Sequence, residues 1–386
     1  MHPTVSGSGR LMLGFQYFLH FSVMGIVLPY FNLYCFHIGL TGFEIGAVSA
    51  LRSAALVLFS LVWSILADRY SARKPIYILC IFISTGIWSL YLFTVDFWMI
   101  LAITLIYGIF YSPVISFLEA FTMDALGVEK TRYGSIRVWG SVSFIAVVIL
   151  IGKIIDLYRI DVILVLVLLG ASLQSMASFK IPEVKRSRKH QAFLFPITLF
   201  RKEVIVFLGC AFLMLASHGA YYGFFSIHLE SLGYTKTFIG FTWALASLSE
   251  IGVMIRSRTL FKNYSLHTVL VFSFMMAALR WGCLIFFRSA FTILLSQCLH
   301  SITYGAFHMS SILYMDALTP DDAKTVGQAA NNAVTYGLGL MTGFFMAGAL
   351  YEPIGAKGLF AISGIIALLA GAIFQTMGKR IKVFPP

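Results

Sequence analysis

Several ionisable side chains stand inside long apolar runs of this 386-residue chain: Arg52, Glu119, Arg137, Glu250 and Arg280, with His218, His300 and His308. A charge deep in hydrocarbon costs roughly 2.5–3.5 kcal/mol even on permissive scales, so each marks ligand binding, proton handling or a structural ion pair. Glu119 and Arg137 lie nine residues either side of Val128. At about 1.5 Å per helical residue both sit roughly 13 Å from the turn, close enough in depth to pair. Such a pair either binds a solute or clamps two helices; Ser112 and Ser116 share the Glu119 face. Glu250, Arg280 and His300 fall at similar depths in successive runs, and a carboxyl beside a base there can be charged in one state and neutral in another, which is proton-coupling chemistry. His300, Tyr304 and His308 recur every four residues as one polar stripe, fit for that relay or for plain interhelical hydrogen bonds. Arg52 has no partner in its own run and either snorkels outward or points inward. Tyr221, Tyr222 and Trp243 offer faces to a ring-bearing ligand, or form an interfacial aromatic belt.

The elements that must position these groups are membrane helices. Hydrophobic residues make up 59% of the chain and charged residues 11%, and mean hydropathy is +0.87. No water-soluble fold hides that much apolar surface. Twelve runs are long enough to span, about 11–36, 44–67, 75–94, 97–122, 133–152, 162–180, 204–228, 238–256, 266–287, 291–315, 325–350 and 358–377. With the N-terminus cytoplasmic, 20 of the 28 Lys and Arg fall on the cytoplasmic side and five in the opposite loops. The net charge of +12 is then a topology signal, which argues against a nucleic-acid partner. The first apolar run has no cleavage site after it and reads as a retained helix. The five cysteines lie in apolar runs without a C-x-x-C spacing, so neither disulfides nor a metal site is expected.

A charge-dense linker, 181–203, separates six spans from six, giving bundles at 1–180 and 204–386. The halves echo each other. Met123-Asp-Ala-Leu126 closes span 4 and Met315-Asp-Ala-Leu318 closes span 10; Gly39-Leu-Thr-Gly-Phe-Glu-Ile-Gly46 opens span 2 and Gly233-Tyr-Thr-Lys-Thr-Phe-Ile-Gly240 opens span 8. Both offsets are close to half the chain, as duplication of a six-helix unit requires. Parallel halves with a site at mid-bilayer are a secondary-transporter design.

Asp68-Arg69-Tyr-Ser-Ala-Arg73-Lys74 follows span 2 and resembles the loop signature of the major facilitator superfamily, with Ser64 and Ser71 in place of two glycines and Ala72 in place of a base. Asp68 at a helix end can pair with Arg69, Arg73 or a neighbouring helix. Tyr133-Gly-Ser-Ile-Arg-Val-Trp-Gly-Ser141, His218-Gly-Ala-Tyr-Tyr-Gly-Phe224, Gly240-Phe-Thr-Trp243 with Glu250, Arg280-Trp-Gly282, and His300 with His308 resemble the phenylpropionate permease family of that superfamily. The polar set also resembles that of lactose permease and related oligosaccharide:proton symporters. There the equivalents of Glu119 and Arg137 bind sugar, and those of Glu250, Arg280 and His300 belong to the coupling network. The protonatable Glu one turn after the His is Thr303 here, which leaves the proton to Glu250 or a histidine.

These readings predict an all-α integral membrane protein of the bacterial inner membrane: twelve transmembrane helices in two pseudo-symmetric six-helix bundles, the major facilitator fold, both termini cytoplasmic, acting as a monomer. The expected function is proton symport of a small organic solute, an aromatic carboxylate such as 3-phenylpropionate, by alternating access. Arg137, Arg280, Glu119 and Arg52, with Tyr221, Tyr222 and Trp243, would hold the solute. Glu250, His300, His308 and His218 would handle the proton, and Asp68, Arg69, Arg73 and Lys74 would form a conformational loop latch. A sugar, oligosaccharide or nucleoside symporter is the alternative, because the same side chains can bond hydroxyls; a membrane solute sensor or scaffold is a third class. No H-E-x-x-H motif or nucleophile–base pair is present, so no enzyme activity and no cofactor are expected.

Overall fold

The computed structural model describes residues 7–127, 129, 132–182, 197–321 and 323–380, all α-helical with connecting turns. The greater part of the expected 181–203 linker lies outside the described residues. Residues long and apolar enough to satisfy their backbone only internally form helices α1 (Gly7–His37), α2 (Gly42–Arg69), α3 (Arg73–Phe93), α4 (Phe97–Leu126), α5 (Tyr133–Leu157) and α6 (Val162–Ser178). Then follow α7 (Lys202–Ser231), α8 (Lys236–Ile255), α9 (Leu266–Phe286), α10 (290–318), α11 (324–354) and α12 (356–377). Among the described residues nine helices meet the length and apolarity of a span, and the twelve expected runs reconcile with that figure simply. The α6 helix has 17 residues. A π-helical stretch, Ser301–Ala306, interrupts α10. Helices α11 and α12 run together as Lys324–Met377, but Pro353 and the left-handed Gly355 (φ 64°) break them apart. Outward faces keep large apolar side chains exposed, such as Leu58 at 63% and Phe286 at 78%, as lipid contact allows.

The chain falls into two units. Unit 1 comprises 1–40, 51–190 and 234–241; unit 2 comprises 41–50, 191–233 and 242–386. The unit 1 core gathers Leu13, Tyr17, Tyr77, Phe117 and Leu118. The unit 2 core gathers Phe207, Met214, Leu270, Phe274 and Tyr314. The two short segments that each unit takes from the other half are the opening turns of α2 and α8, the very segments repeated in sequence. Gly39 (φ 91°) and Gly233 (φ 86°) hold matching left-handed turns before them. Within unit 2, a Cβ on Gly46 would stand 2.6 Å from the Cα of Gly348, so the two backbones meet where only hydrogen fits. Within unit 1, both Asp156 oxygens cap α8 by accepting from the Lys236 and Thr237 backbone N–H groups at 2.8 Å. The other repeated motif acts in parallel too. Asp124 pairs with Arg73 at 3.2 Å and Asp316 with Lys324 at 3.2 Å.

Candidate functional site

The in-membrane polar groups gather in two clusters, one in each unit. In unit 2, α9 carries Arg280 into the interior, where it is 0% exposed. Its guanidinium lies over the Tyr221 ring at 4.1 Å and the Trp281 ring at 4.9 Å. One Nη donates to His300 Nδ1 at 2.7 Å and reaches Thr303 Oγ1 at 3.5 Å. The other Nη donates to Gln297 Oε1 at 3.0 Å, an oxygen that also accepts from Tyr221 OH at 3.0 Å. The far side of His300 meets Glu250, with Nε2 to Oε1 at 2.9 Å. Helix α10 presents Gln297, His300, Tyr304 and His308 along one face, and stacked rings tie His300 to Tyr304 and Tyr304 to His308. Tyr336 on α11 closes the row by bonding His308 Nδ1. Both α10 and α11 carry π-helical stretches here, Ser301–Ala306 and Asn332–Gly339, a local rewinding that turns side chains out of α-helical register.

The partners dictate the protonation pattern. An arginine has only N–H donors to offer. His300 Nδ1 therefore accepts, its single proton rests on Nε2, and that proton points at the Glu250 carboxylate. Arg280, neutral His300 and Glu250 form a directed row in which a cation and a carboxylate balance through an uncharged ring. His218 has the other arrangement. Its Nδ1 donates to the Met214 carbonyl at 2.8 Å, leaving a buried Nε2 lone pair that has no partner among the described residues.

Exposure sorts the expected ligand groups. Tyr221, Trp243, His218 and Arg280 are buried, whereas Tyr222, Glu250, Tyr304 and His308 are half-buried. The bidentate fork expected of Arg280 is already committed to His300, Thr303 and Gln297, and its remaining Nε is buried with no partner among the described residues. Trp243 donates to Ser226 Oγ at 3.1 Å and packs on Tyr221 at 5.0 Å, so it supports the cluster from behind. Gln297 escaped the sequence reading because a neutral amide does not stand out in an apolar run. Its signal is positional, three residues before His300 on the same helical face.

In unit 1, Arg137 rests on the Phe21 ring at 3.9 Å and the Tyr17 ring at 5.4 Å. Among the described residues it forms no ion pair within 4 Å; Glu119 is exposed and shares Tyr133 with it as a neighbour. Equal depth brought the two close, but rotation about the helices turned Arg137 onto aromatic faces. Arg52 is half-buried near Phe31, its guanidinium 6.0 Å from that ring. At the end of α2, Asp68 accepts from Arg73 at 2.6 Å while Arg73 also reaches Asp124 on α4. Lys74 donates to the Ile181 carbonyl at 2.8 Å, and Arg69 lies over Tyr70 at 5.9 Å.

Long apolar helices carrying ionisable side chains within their spans in each of two units define a multi-pass membrane protein with the major facilitator fold, a fold of transporters. The chain belongs to the MFS_1 like family, whose model matches residues 10–362. It is 28% identical over 386 residues to a probable 3-phenylpropionic acid transporter of Escherichia coli, covering 97% of each chain. It is 23% identical to the maltose permease of Geobacillus stearothermophilus, covering 92% of each. Among solved structures, the nucleoside transporter NupG superposes with a TM-score of 0.89 at 18% identity, over 96% of this chain and 100% of that one.

Proposed function

We propose that the protein imports an aromatic monocarboxylate, with 3-phenylpropionate as the model substrate, by proton symport and alternating access. It would work as a monomer in the bacterial inner membrane with both termini cytoplasmic and bundles at 1–180 and 204–386. The observation that carries the coupling is the Arg280–His300–Glu250 row. His300 cannot gain a second proton while Arg280 holds its Nδ1, so Glu250 is the group left to take one. With Glu250 ionised the row is neutral. A proton there leaves the Arg280 charge uncompensated, and an arriving carboxylate restores the balance. One proton then accompanies one monoanion. Within unit 2 the half-buried Tyr222 and Tyr304 are ring contacts beside the row; within unit 1 Arg137, resting on Phe21, is a separate cationic station. His308 and His218 lie near the row without sharing its proton. The Asp68–Arg73–Asp124 group is a latch that breaks and reforms during the cycle.

A second reading, transport of a sugar or nucleoside, is favoured by Glu119, an exposed carboxylate that accepts from Tyr133 and has room to accept from further hydroxyls. Uptake of labelled 3-phenylpropionate into proteoliposomes, acid outside, decides between them when repeated with excess maltose or uridine. Saturable uptake untouched by either competitor supports the aromatic-acid reading. Absence of uptake, with uridine or maltose taken up instead, removes it.

A further inference from the structure

Arg52 has no role in the coupling row. It lies on α2 ten residues after Gly42, about 15 Å along the helix from its outer end. It is half-buried, and among the described residues it makes no ion pair within 4 Å and no side-chain hydrogen bond. Aromatic side chains surround it instead. Phe31 lies 6.0 Å from the guanidinium carbon, and Tyr91, Cys35, Tyr107 and Tyr111 interact with it electrostatically. Tyr107 and Tyr111 stack at 4.9 Å with planes 17° apart, and Tyr111 stacks on His20 at 5.6 Å and 13°. His20 meets Phe21 edge-on at 5.2 Å, and Phe21 is the ring beneath Arg137. A run of aromatic contacts, two stacked and one edge-on, thus begins near Arg52 and ends beneath Arg137, neither of which makes an ion pair among the described residues, all within unit 1.

We propose that Arg52 and these rings form a second binding station for an aryl-alkanoate monocarboxylate, separate from the station at Arg137. The inference rests on the aromatic-acid reading above and names a further site for the same substrate class. The carboxylate would take the guanidinium donors, and the aryl group would lie against Tyr111, the partly exposed ring of a stack whose other members are buried. A solute with a ring but no charge leaves Arg52 unpaired; one with a charge but no ring leaves Tyr111 without a partner face. Both features together match the site.

Trp88 provides the readout. It lies 5.3 Å from Tyr107 and 5.5 Å from Phe31, so a ring bound there changes its emission. The experiment titrates purified protein with 3-phenylpropionate and takes the Trp88 signal as the difference from Trp88→Phe. The expected result is a saturable response that Arg137→Gln retains and Arg52→Gln loses, together with an uptake KM raised at least tenfold in Arg52→Gln. If Arg52→Gln does not fold, the unsubstituted protein gives the answer. The uncharged 3-phenylpropionamide and the ringless propionate should each leave Trp88 unchanged at concentrations where 3-phenylpropionate saturates. A Trp88 response that survives Arg52→Gln, or that the amide reproduces, overturns the station while wild-type uptake keeps the aromatic-acid reading. Wild-type protein that neither takes up 3-phenylpropionate nor responds to it overturns both.

Discussion

At the scale of single residues, Arg280 is the group on which most of unit 2 chemistry turns. A buried guanidinium is tolerable only when its donors are matched, and here an amide, an imidazole and a hydroxyl do the matching. Gln297 carries two bonds at one oxygen, from Arg280 and from Tyr221. Gln297→Leu is therefore expected to strand both donors, costing about 1–3 kcal/mol or more where the stranded donor is charged. A thermal melt of the detergent-solubilised protein checks the stability; uptake assayed alongside should fall with it. An unchanged melt would show that Arg280 finds another acceptor. The nearness of Glu250, Arg280 and His300 was legible in the sequence because depth in a membrane helix follows from counting residues. What counting leaves out is rotation. It placed Glu119 opposite Arg137, yet the guanidinium lies on Phe21. It offered the Arg280 fork to a ligand, yet Gln297 and His300 already fill it. It left Arg52 undecided between lipid headgroups and the interior, because the rings that flank it come from three other helices.

At the scale of elements, hydropathy marks where helices are and says less about where they stop. Helices α11 and α12 read as two runs from their apolar content, and the break between them is a backbone event at Gly355 next to Pro353. The π-helical stretches in α10 and α11 have no sequence signature, since no proline marks either. The repeated Gly39–Gly46 and Gly233–Gly240 motifs do carry structural meaning: each supplies a left-handed glycine and then a helix whose first turns are packed tightly. Gly46→Leu should be poorly tolerated, because its side chain has to displace the Gly348 backbone; overpacking of this kind typically costs about 1–3 kcal/mol. A melt lowered relative to Gly252→Leu, a glycine with nothing within 4 Å, is the expected result. Equal melts would mean that the α2 opening can move away freely.

At the scale of the whole molecule, the distribution of basic residues predicts a topology. A cysteine at Ser289, between α9 and α10, should react with an impermeant thiol reagent added outside intact cells, whereas one at Lys262, between α8 and α9, should react only after permeabilisation. The reverse pattern would invert the orientation. Charge balance predicts the stoichiometry. The row in unit 2 is neutral when Glu250 is ionised and carries one positive charge when it is protonated, so under the proposed symport a monocarboxylate and a proton would move together without net charge. The most direct measurement uses proteoliposomes loaded with a pH-sensitive dye, in which proton entry is recorded as 3-phenylpropionate is added. The expected result is one proton per substrate, no dependence on an imposed potassium diffusion potential, and in Glu250→Gln exchange of substrate without proton entry. Proton entry that persists undiminished in Glu250→Gln, or substrate entry without any proton, would contradict it.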